Sequence, residues 1–220
     1  MMSTEHPITV LLADDHPTTR AGIRAILEAE ADMRVVGEAE SGFEVQNLVA
    51  ELKPKILVLD LQMPGPTPTD LEQWVRQNYP ETQTVILTSH GRDAHLAMMM
   101  EAGASGFLSK TEPAQNLVAS IRRLAAGKPV YSDEQIERAL RWRREAGGKW
   151  NSLSQREKEI LPFLVRGLKN ADIARELGVT SKTVAFHITN ILEKLGVNTR
   201  GEAVDWVNKY APKKLNEPSD

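Results

Sequence analysis

The chain has 220 residues, 41% of them hydrophobic, which suits two small globular domains better than one. It contains no cysteine, which excludes disulfides and thiolate metal sites. No apolar run approaches the ~20 residues of a membrane span, and no basic-then-apolar leader opens the chain, so a cytoplasmic protein without membrane contact is expected.

Strand and helix patterns alternate five times up to residue 126. Short apolar runs place strands near 8–13, 33–38, 56–60, 84–88 and 106–109, with helices near 17–29, 42–52, 69–78, 92–102 and 113–126. This predicts an α/β fold, a doubly wound five-stranded parallel sheet. Met98, Met99 and Met100 read as core or interface filler. Gly127 and Pro129 close the fifth helix, and Ser132 can cap a linker helix reaching about Glu145. Arg138, Arg141, Arg143 and Arg144 give that helix a basic face, read as solvated. Gly147-Gly148 is expected to be a flexible joint. A small all-α module follows. Ser154-Gln155-Arg156-Glu157 is a capping box, and Asn170 can cap a second helix. Gly178-Val179-Thr180 makes a turn into a third helix from about Ser181 to Leu195, and a fourth runs from about Arg200 to Tyr210. The second and third form a helix-turn-helix. Pro162 falls inside the first of these helices, where a kink is expected. The expected domains are 6–126, a linker 127–149, a helical module 150–211 and a tail 212–220. Charge follows this division: residues 1–125 carry 10 Lys+Arg and 17 Asp+Glu, net −7, and residues 126–220 carry 17 and 13, net +4. That asymmetry suits a cation site joined to a polyanion-binding module.

The ends of four strands carry chemistry. Asp14-Asp15 follow the first, Asp60 the third, Thr88 closes the fourth and Lys110 follows the fifth. A parallel sheet places its site at these carboxyl ends. An Asp after a strand is ordinarily a turn former, but five such residues in this order point to one site. Clustered carboxylates repel and call for a hard cation such as Mg²⁺. We expect Asp15 and Asp60 as direct ligands, Asp14 acting through water, and the Gln62 backbone carbonyl as a third ligand. Asp60 is the expected nucleophile toward a phosphoryl group. Lys110 offsets its charge and Thr88 hydrogen-bonds a phosphoryl oxygen. A haloacid-dehalogenase-like phosphatase would need a second Asp two positions after the nucleophile. Gln62 stands there, so that enzymatic reading is rejected.

The segments Leu11-Leu12-Ala13-Asp14-Asp15-His16, Leu57-Val58-Leu59-Asp60-Leu61-Gln62-Met63-Pro64-Gly65, Leu87-Thr88-Ser89 and Gly103-Ala104-Ser105-Gly106-Phe107-Leu108-Ser109-Lys110 resemble a two-component receiver domain of CheY-like fold. The resemblance covers about residues 6 to 126. It implies a histidine kinase as phosphodonor to Asp60 and Phe107 as a switch aromatic that follows Thr88. Gln62 and His90 stand where the family tunes the lifetime of the phosphoryl group. Two departures stand out. The loop Pro64-Gly65-Pro66-Thr67-Pro68 is longer and richer in proline than usual, and Thr111 rather than Pro follows Lys110.

Leu153-Ser154-Gln155-Arg156-Glu157, Gly167-Leu168-Lys169-Asn170-Ala171-Asp172-Ile173-Ala174, Thr183-Val184-Ala185-Phe186-His187-Ile188 and Lys194-Leu195-Gly196-Val197 resemble the LuxR-type output domain. Together the two resemblances point to the NarL/FixJ class of response regulator. The class implies promoter DNA as a partner, a homodimer formed through the last helix, and RNA polymerase as a further candidate partner. Glu202, Ala203, Val204, Trp206 and Val207 would lie near the second subunit, unless Trp206 is buried in its own domain. The expected DNA contacts are Lys182, Thr183, Ala185, Phe186, His187, Thr189, Asn190, Lys194 and Arg200. Among them Lys182, His187, Lys194 and Arg200 are assigned to phosphates, and Phe186, Thr189 and Asn190 to bases. Phe186 has a rival reading as a protein contact. The family typically has Lys where Ala185 stands, and often at Thr189. The expected function is a phosphorylation-gated transcription regulator, and the alternative is a phosphorylation-independent receiver that acts as an interaction or dimerisation scaffold.

Overall fold

A computed structural model describes residues 7–89 and 91–212. The chain divides into two compact units, one through Glu137 and one from Arg138.

In the first unit, strands β1 (Ile8–Ala13), β2 (Met33–Ala39), β3 (Ile56–Leu59), β4 (Gln83–Thr88) and β5 (Gly106–Ser109) form one parallel sheet in the order β2-β1-β3-β4-β5. Helices α1 (Pro17–Glu28), α2 (Gly42–Leu52), α3 (Pro68–Asn78), α4 (Asp93–Ala102) and α5 (Ala114–Ala125) connect them. The strands are near-continuous apolar runs because both faces are covered. Val10, Leu12, Ile56 and Val58 pack with Ile23 and Leu27 of α1 and Leu117, Ile121 and Leu124 of α5. The alternate residues Leu11, Leu57, Leu59 and Ile86 are also buried, as are Val45, Leu71, Val75, Leu96 and Met99 of α2, α3 and α4. The strand order reverses between β1 and β3, so Asp14, Asp15 and Asp60 emerge at the topological switch point.

The proline-rich loop is anchored rather than loose. Thr67 caps α3 through Asp70 N, and Pro68 opens the helix where no backbone donor is needed. The Pro64 carbonyl accepts from Gly42 N at 2.8 Å. Gly65 has φ +120, and a Cβ there would meet the Gly42 backbone nitrogen at 3.2 Å, so only glycine fits.

Beyond α5 the chain stays on the sheet edge. Val130 N donates to Ser105 O, Tyr131 Oη to Ala104 O, and Gln135 Nε2 to Phe107 O. Ser132 caps α6 (Asp133–Trp142), as expected.

The second unit corrects the expected joint. Gly147 and Gly148 are helical, and α6 continues through a π-turn at Arg143–Gly147 into α7 (Gly148–Ser152). Gly147 is buried, and a Cβ on it would lie 3.3 Å from the Trp142 ring, so glycine lets the ring pack against the backbone. Trp142 Nε1 donates to the Tyr210 carbonyl. These contacts pin the segment whose paired glycines predict a flexible joint. Helices α8 (Gln155–Val165), α9 (Asn170–Glu176), α10 (Ser181–Leu195) and α11 (Arg200–Tyr210) complete the unit. The capping box at Ser154 and Glu157 forms, and α8 runs through Pro162. Lys169, not Asn170, is the N-cap of α9, and the Asn170 side chain instead accepts from Arg200. Ala203, Trp206 and Val207 are buried within the chain. Thr199 caps α11 by accepting from Glu202 N, and the Glu202 carboxylate accepts from Asn198 N.

Glu72 of α3 is 0% exposed, and neither carboxylate oxygen has a hydrogen-bond partner. Burial pushes its pKa up to about 7 from an ordinary 4.5. Thr84 lies beside it but makes no well-formed hydrogen bond, so it offsets little of this cost. The native state therefore keeps the Glu72 proton to higher pH than the unfolded chain does. The proton stabilises the fold at low pH, and that stabilisation is lost as pH rises from about 4.5 to about 7. Glu72→Gln should remove this slope and stabilise the receiver well above pH 7 by roughly 3 kcal/mol. Urea midpoints at acid and alkaline pH, compared between wild type and variant, measure the difference directly.

Candidate functional site

Four strand ends assemble one acidic pocket. Asp14 leaves β1 buried: its Oδ1 accepts from His16 N at 2.9 Å and its Oδ2 lies 2.7 Å from Lys110 Nζ. Asp60 leaves β3 equally buried, with Oδ1 accepting from Leu61 N at 2.7 Å and Oδ2 from Lys110 Nζ at 2.6 Å. One ammonium thus bridges two carboxylates from different strands. Lys110 is brought there by its own backbone N–H, which donates to the Thr88 carbonyl across the β4–β5 edge. Asp15 is partly exposed, and its Oδ1 lies 2.7 Å from His16 Nδ1 without a well-aligned hydrogen bond.

The electrostatics follow from burial. Burial is the largest influence on Asp60 and pushes its carboxyl above the ordinary range, the hydrogen bond and charge of Lys110 pull it back, and the Asp14 charge adds to the rise. Burial works against the Lys110 charge too, but its bonds to Asp14 and Asp60 outweigh that and hold the ammonium above its usual value. The donor set suits a hard divalent cation. Ligand atoms of Asp14, Asp15, His16 and Asp60 lie within 4.8 Å of one another, and the Asp15 Oδ1 atom is shielded yet unsatisfied.

The remaining expected residues are accounted for as follows. Thr88 is buried at the end of β4. Phe107 is buried as well, its ring 3.3 Å from where a Cβ on Gly91 would stand. Gln62 lies exposed in the loop after Asp60, and His90 lies outside the described residues. Arg20 was not anticipated: the residue is 8% exposed, and its guanidinium donates to the Asp14 carbonyl. The sequence did carry a sign of it, because Arg20 falls in the inward stripe with Ile23 and Leu27 at helical spacing.

In the second unit, α10 presents Lys182, Ala185, Phe186 and Thr189 to solvent, with Phe186 63% exposed. Thr183 and Asn190 are half-buried, and the Thr183 backbone N–H is capped by Thr180. His187 is half-buried with a shielded Nδ1 that lacks a partner. Two expected phosphate contacts have other partners. Lys194 Nζ lies 2.7 Å from Oε2 of buried Glu157 and neutralises it. Arg200 donates to the Leu168 carbonyl and Asn170 Oδ1, tying α11 to the start of α9. Lys149 Nζ donates to the Leu195 carbonyl at 2.7 Å, so a cation closes the carbonyl end of α10.

A buried acid pocket on a parallel sheet, followed by a helix-turn-helix unit, defines a DNA-binding response regulator. The chain belongs to the two-component response regulators of the LuxR family, the NarL/FixJ class: residues 10–122 match the response regulator receiver domain, and residues 151–207 match the bacterial regulatory proteins of the luxR family. It is 36% identical over 205 residues to the transcriptional regulatory protein LiaR of Bacillus subtilis (strain 168), covering 92% of this chain and 97% of that protein. It is 32% identical over 212 residues to the nitrate/nitrite response regulator protein NarL of Escherichia coli (strain K12), covering 94% and 98%. A structure of RcsB from Salmonella enterica serovar Typhimurium, bound to promoter P1flhDC in the presence of phosphomimetic BeF3-, matches with TM-score 0.60 at 28% identity over 93% of this chain and 99% of that one. The first of these relatives is a transcriptional regulatory protein and the second a response regulator. Among the described residues no helix is long and apolar enough to cross a membrane.

The Glu157 partner of Lys194 gives that lysine a part in stability. Lys194→Ala leaves the Glu157 carboxylate buried without its cation and should lower the stability of the second unit by ~1–3 kcal/mol. Lys182→Ala should leave stability within ~0.5 kcal/mol but weaken duplex binding and reduce its salt dependence by about one ion. Thermal melts and salt titrations of DNA binding on both variants check this.

Proposed function

We propose that this chain accepts a phosphoryl group on Asp60 from a histidine kinase, with Mg²⁺ in the acidic pocket, and that the resulting change controls DNA binding at a promoter in the cytoplasm. The observation that supports it most is the Lys110 bridge between Asp14 and Asp60. It marks two buried carboxylates whose charge is not fully balanced and a cation placed where a phosphoryl group would develop charge. Asp14, Asp15, Asp60 and the Gln62 carbonyl would hold Mg²⁺. When bound, Mg²⁺ would neutralise phosphoryl oxygens and lower the barrier to their approach to an anion.

The chain's own residues divide the work. An Asp60 carboxylate oxygen forms a bond to phosphorus as the phosphorus–nitrogen bond of the donor breaks and its electron pair stays with the donor nitrogen. Lys110 remains within reach of the product oxygens. The Thr88 hydroxyl donates to one of them, and its movement changes the space open to Phe107. A switch of this kind needs only a few kcal/mol of differential stability. In the output unit α10 is the element for the major groove. Lys182 meets phosphate, while Ala185, Phe186, Thr189 and Asn190 face bases, with Phe186 suited to thymine methyls. Lys194 and Arg200 are engaged within the unit, so each copy contributes few phosphate contacts. Two copies on one site are then needed for useful affinity. RcsB bound to promoter DNA with a phosphomimetic supports the same coupling by analogy.

Incubation with acetyl phosphate and Mg²⁺ should attach a hydroxylamine-sensitive phosphoryl group to Asp60, mapped by mass spectrometry and abolished by Asp60→Asn. Selection from random duplexes should then enrich one sequence more strongly with phosphodonor than without it. No label, together with unchanged DNA selection, would favour the phosphorylation-independent scaffold instead.

A further inference from the structure

We infer that Arg20 is a positioning residue for the cation pocket: its buried guanidinium clamps the peptide that joins Asp14 to Asp15 and so aims Asp15. The inference rests on the function proposed above and adds a residue to that site.

Arg20 lies in the first turn of α1, a helix whose N-cap residue His16 makes no side-chain cap bond. Its neighbours on the inward stripe are Ile23 and Leu27, so an arginine there is desolvated where an aliphatic side chain would pack without cost. All three edges of the guanidinium are occupied. Nη1 donates to the Asp14 carbonyl at 2.6 Å, Nε to Glu38 Oε2 at 2.9 Å, and Nη2 to Glu40 Oε1. Glu38 is itself braced by Arg24 Nη1 at 2.6 Å, and Glu40 N is bonded to Glu44 Oε2. The arginine therefore ties three places together: its own helix, the carboxyl end of β2, and the acidic turn.

The contact with the acidic turn has a specific consequence. Asp14 N already donates to the Ala39 carbonyl at 3.1 Å. With its carbonyl held by Arg20, Asp14 is fixed by its backbone on both sides. The peptide bond is planar, so fixing the Asp14 carbonyl also fixes the N–H and Cα of Asp15. Asp15 is the pocket acid with the fewest restraints on its side chain: Lys110 grips Asp14 and Asp60 but not Asp15. Mg²⁺ tolerates little departure from octahedral geometry, so an unaimed Asp15 would cost affinity.

Charge alone predicts the opposite outcome. Arg20 is a cation close to a cation site, and its removal should favour Mg²⁺. Glu38 and Glu40 blunt that charge, which leaves geometry as the arginine's main contribution. Lysine separates the two effects: it keeps the charge but cannot make three bonds in a planar fork.

The test is calorimetric titration of Mg²⁺ into the full chain as wild type, Arg20→Lys and Arg20→Gln, with melting midpoints measured in parallel and titrations run well below them. Both variants should bind Mg²⁺ about tenfold more weakly or worse, the range seen when a supporting partner of a metal ligand is lost. Wild-type affinity in Arg20→Lys, or tighter binding in Arg20→Gln, overturns the inference and assigns the arginine to stability or charge. If Arg20→Gln does not fold, the charge-conserving Arg20→Lys decides alone. A wild-type chain that takes no Mg²⁺ overturns the function proposal and this inference with it. A wild-type chain that binds, beside an Arg20→Lys chain that binds equally, overturns only the latter.

Discussion

The structure of the receiver turns on one ammonium group. Lys110 lies within 2.7 Å of carboxylates from β1 and β3, both buried. Without it two negative charges would face each other out of water, and burial already pushes Asp60 toward its neutral form. The sheet order makes this contact possible, because β1 and β3 are adjacent at the reversal point and β5 lies beyond β4. Everything proposed for the pocket exploits the remaining imbalance: one cation against three acids attracts a second cation, and then an anion bound to it.

Much of this was legible in the sequence. The strands are short apolar runs that end in polar residues, and each observed strand lies within a residue of its expected place. Asp14, Asp15, Asp60 and Lys110, which the structure brings together, each follow such a run. A capping box and glycine stops located the helices of the output unit with similar accuracy, since these devices act within a few residues of the chain.

What escaped the sequence was long-range. Gly147-Gly148 suggested a joint, yet Trp142 packs against Gly147 and its indole donates to Tyr210, 68 residues away in sequence. Lys194 and Arg200 looked like surface cations, but one answers a buried glutamate and the other a carbonyl at the start of another helix. Trp206 is buried in the chain, the alternative to an interface role that its sequence position left open. Arg20 was visible only as a polar residue in an apolar stripe, a pattern with no meaning until the Asp14 carbonyl and the β2 acids are brought to it. Buried charges of this type are paired across elements, and local periodicity does not encode the partner.

The two units are therefore built on a shared device, a buried acid matched to a cation from another element: Asp14 and Asp60 with Lys110 in one, Glu157 with Lys194 in the other. In the output unit the pair is complete and serves stability. In the receiver it is incomplete, and that excess of negative charge is the central claim. Its most direct test is the urea midpoint of the full chain as a function of Mg²⁺ concentration. A site that binds Mg²⁺ only when folded must raise stability by about 1.4 kcal/mol per tenfold increase in cation once it is saturated, and the rise should vanish in Asp60→Ala. A midpoint indifferent to Mg²⁺ in the wild-type chain would contradict the account.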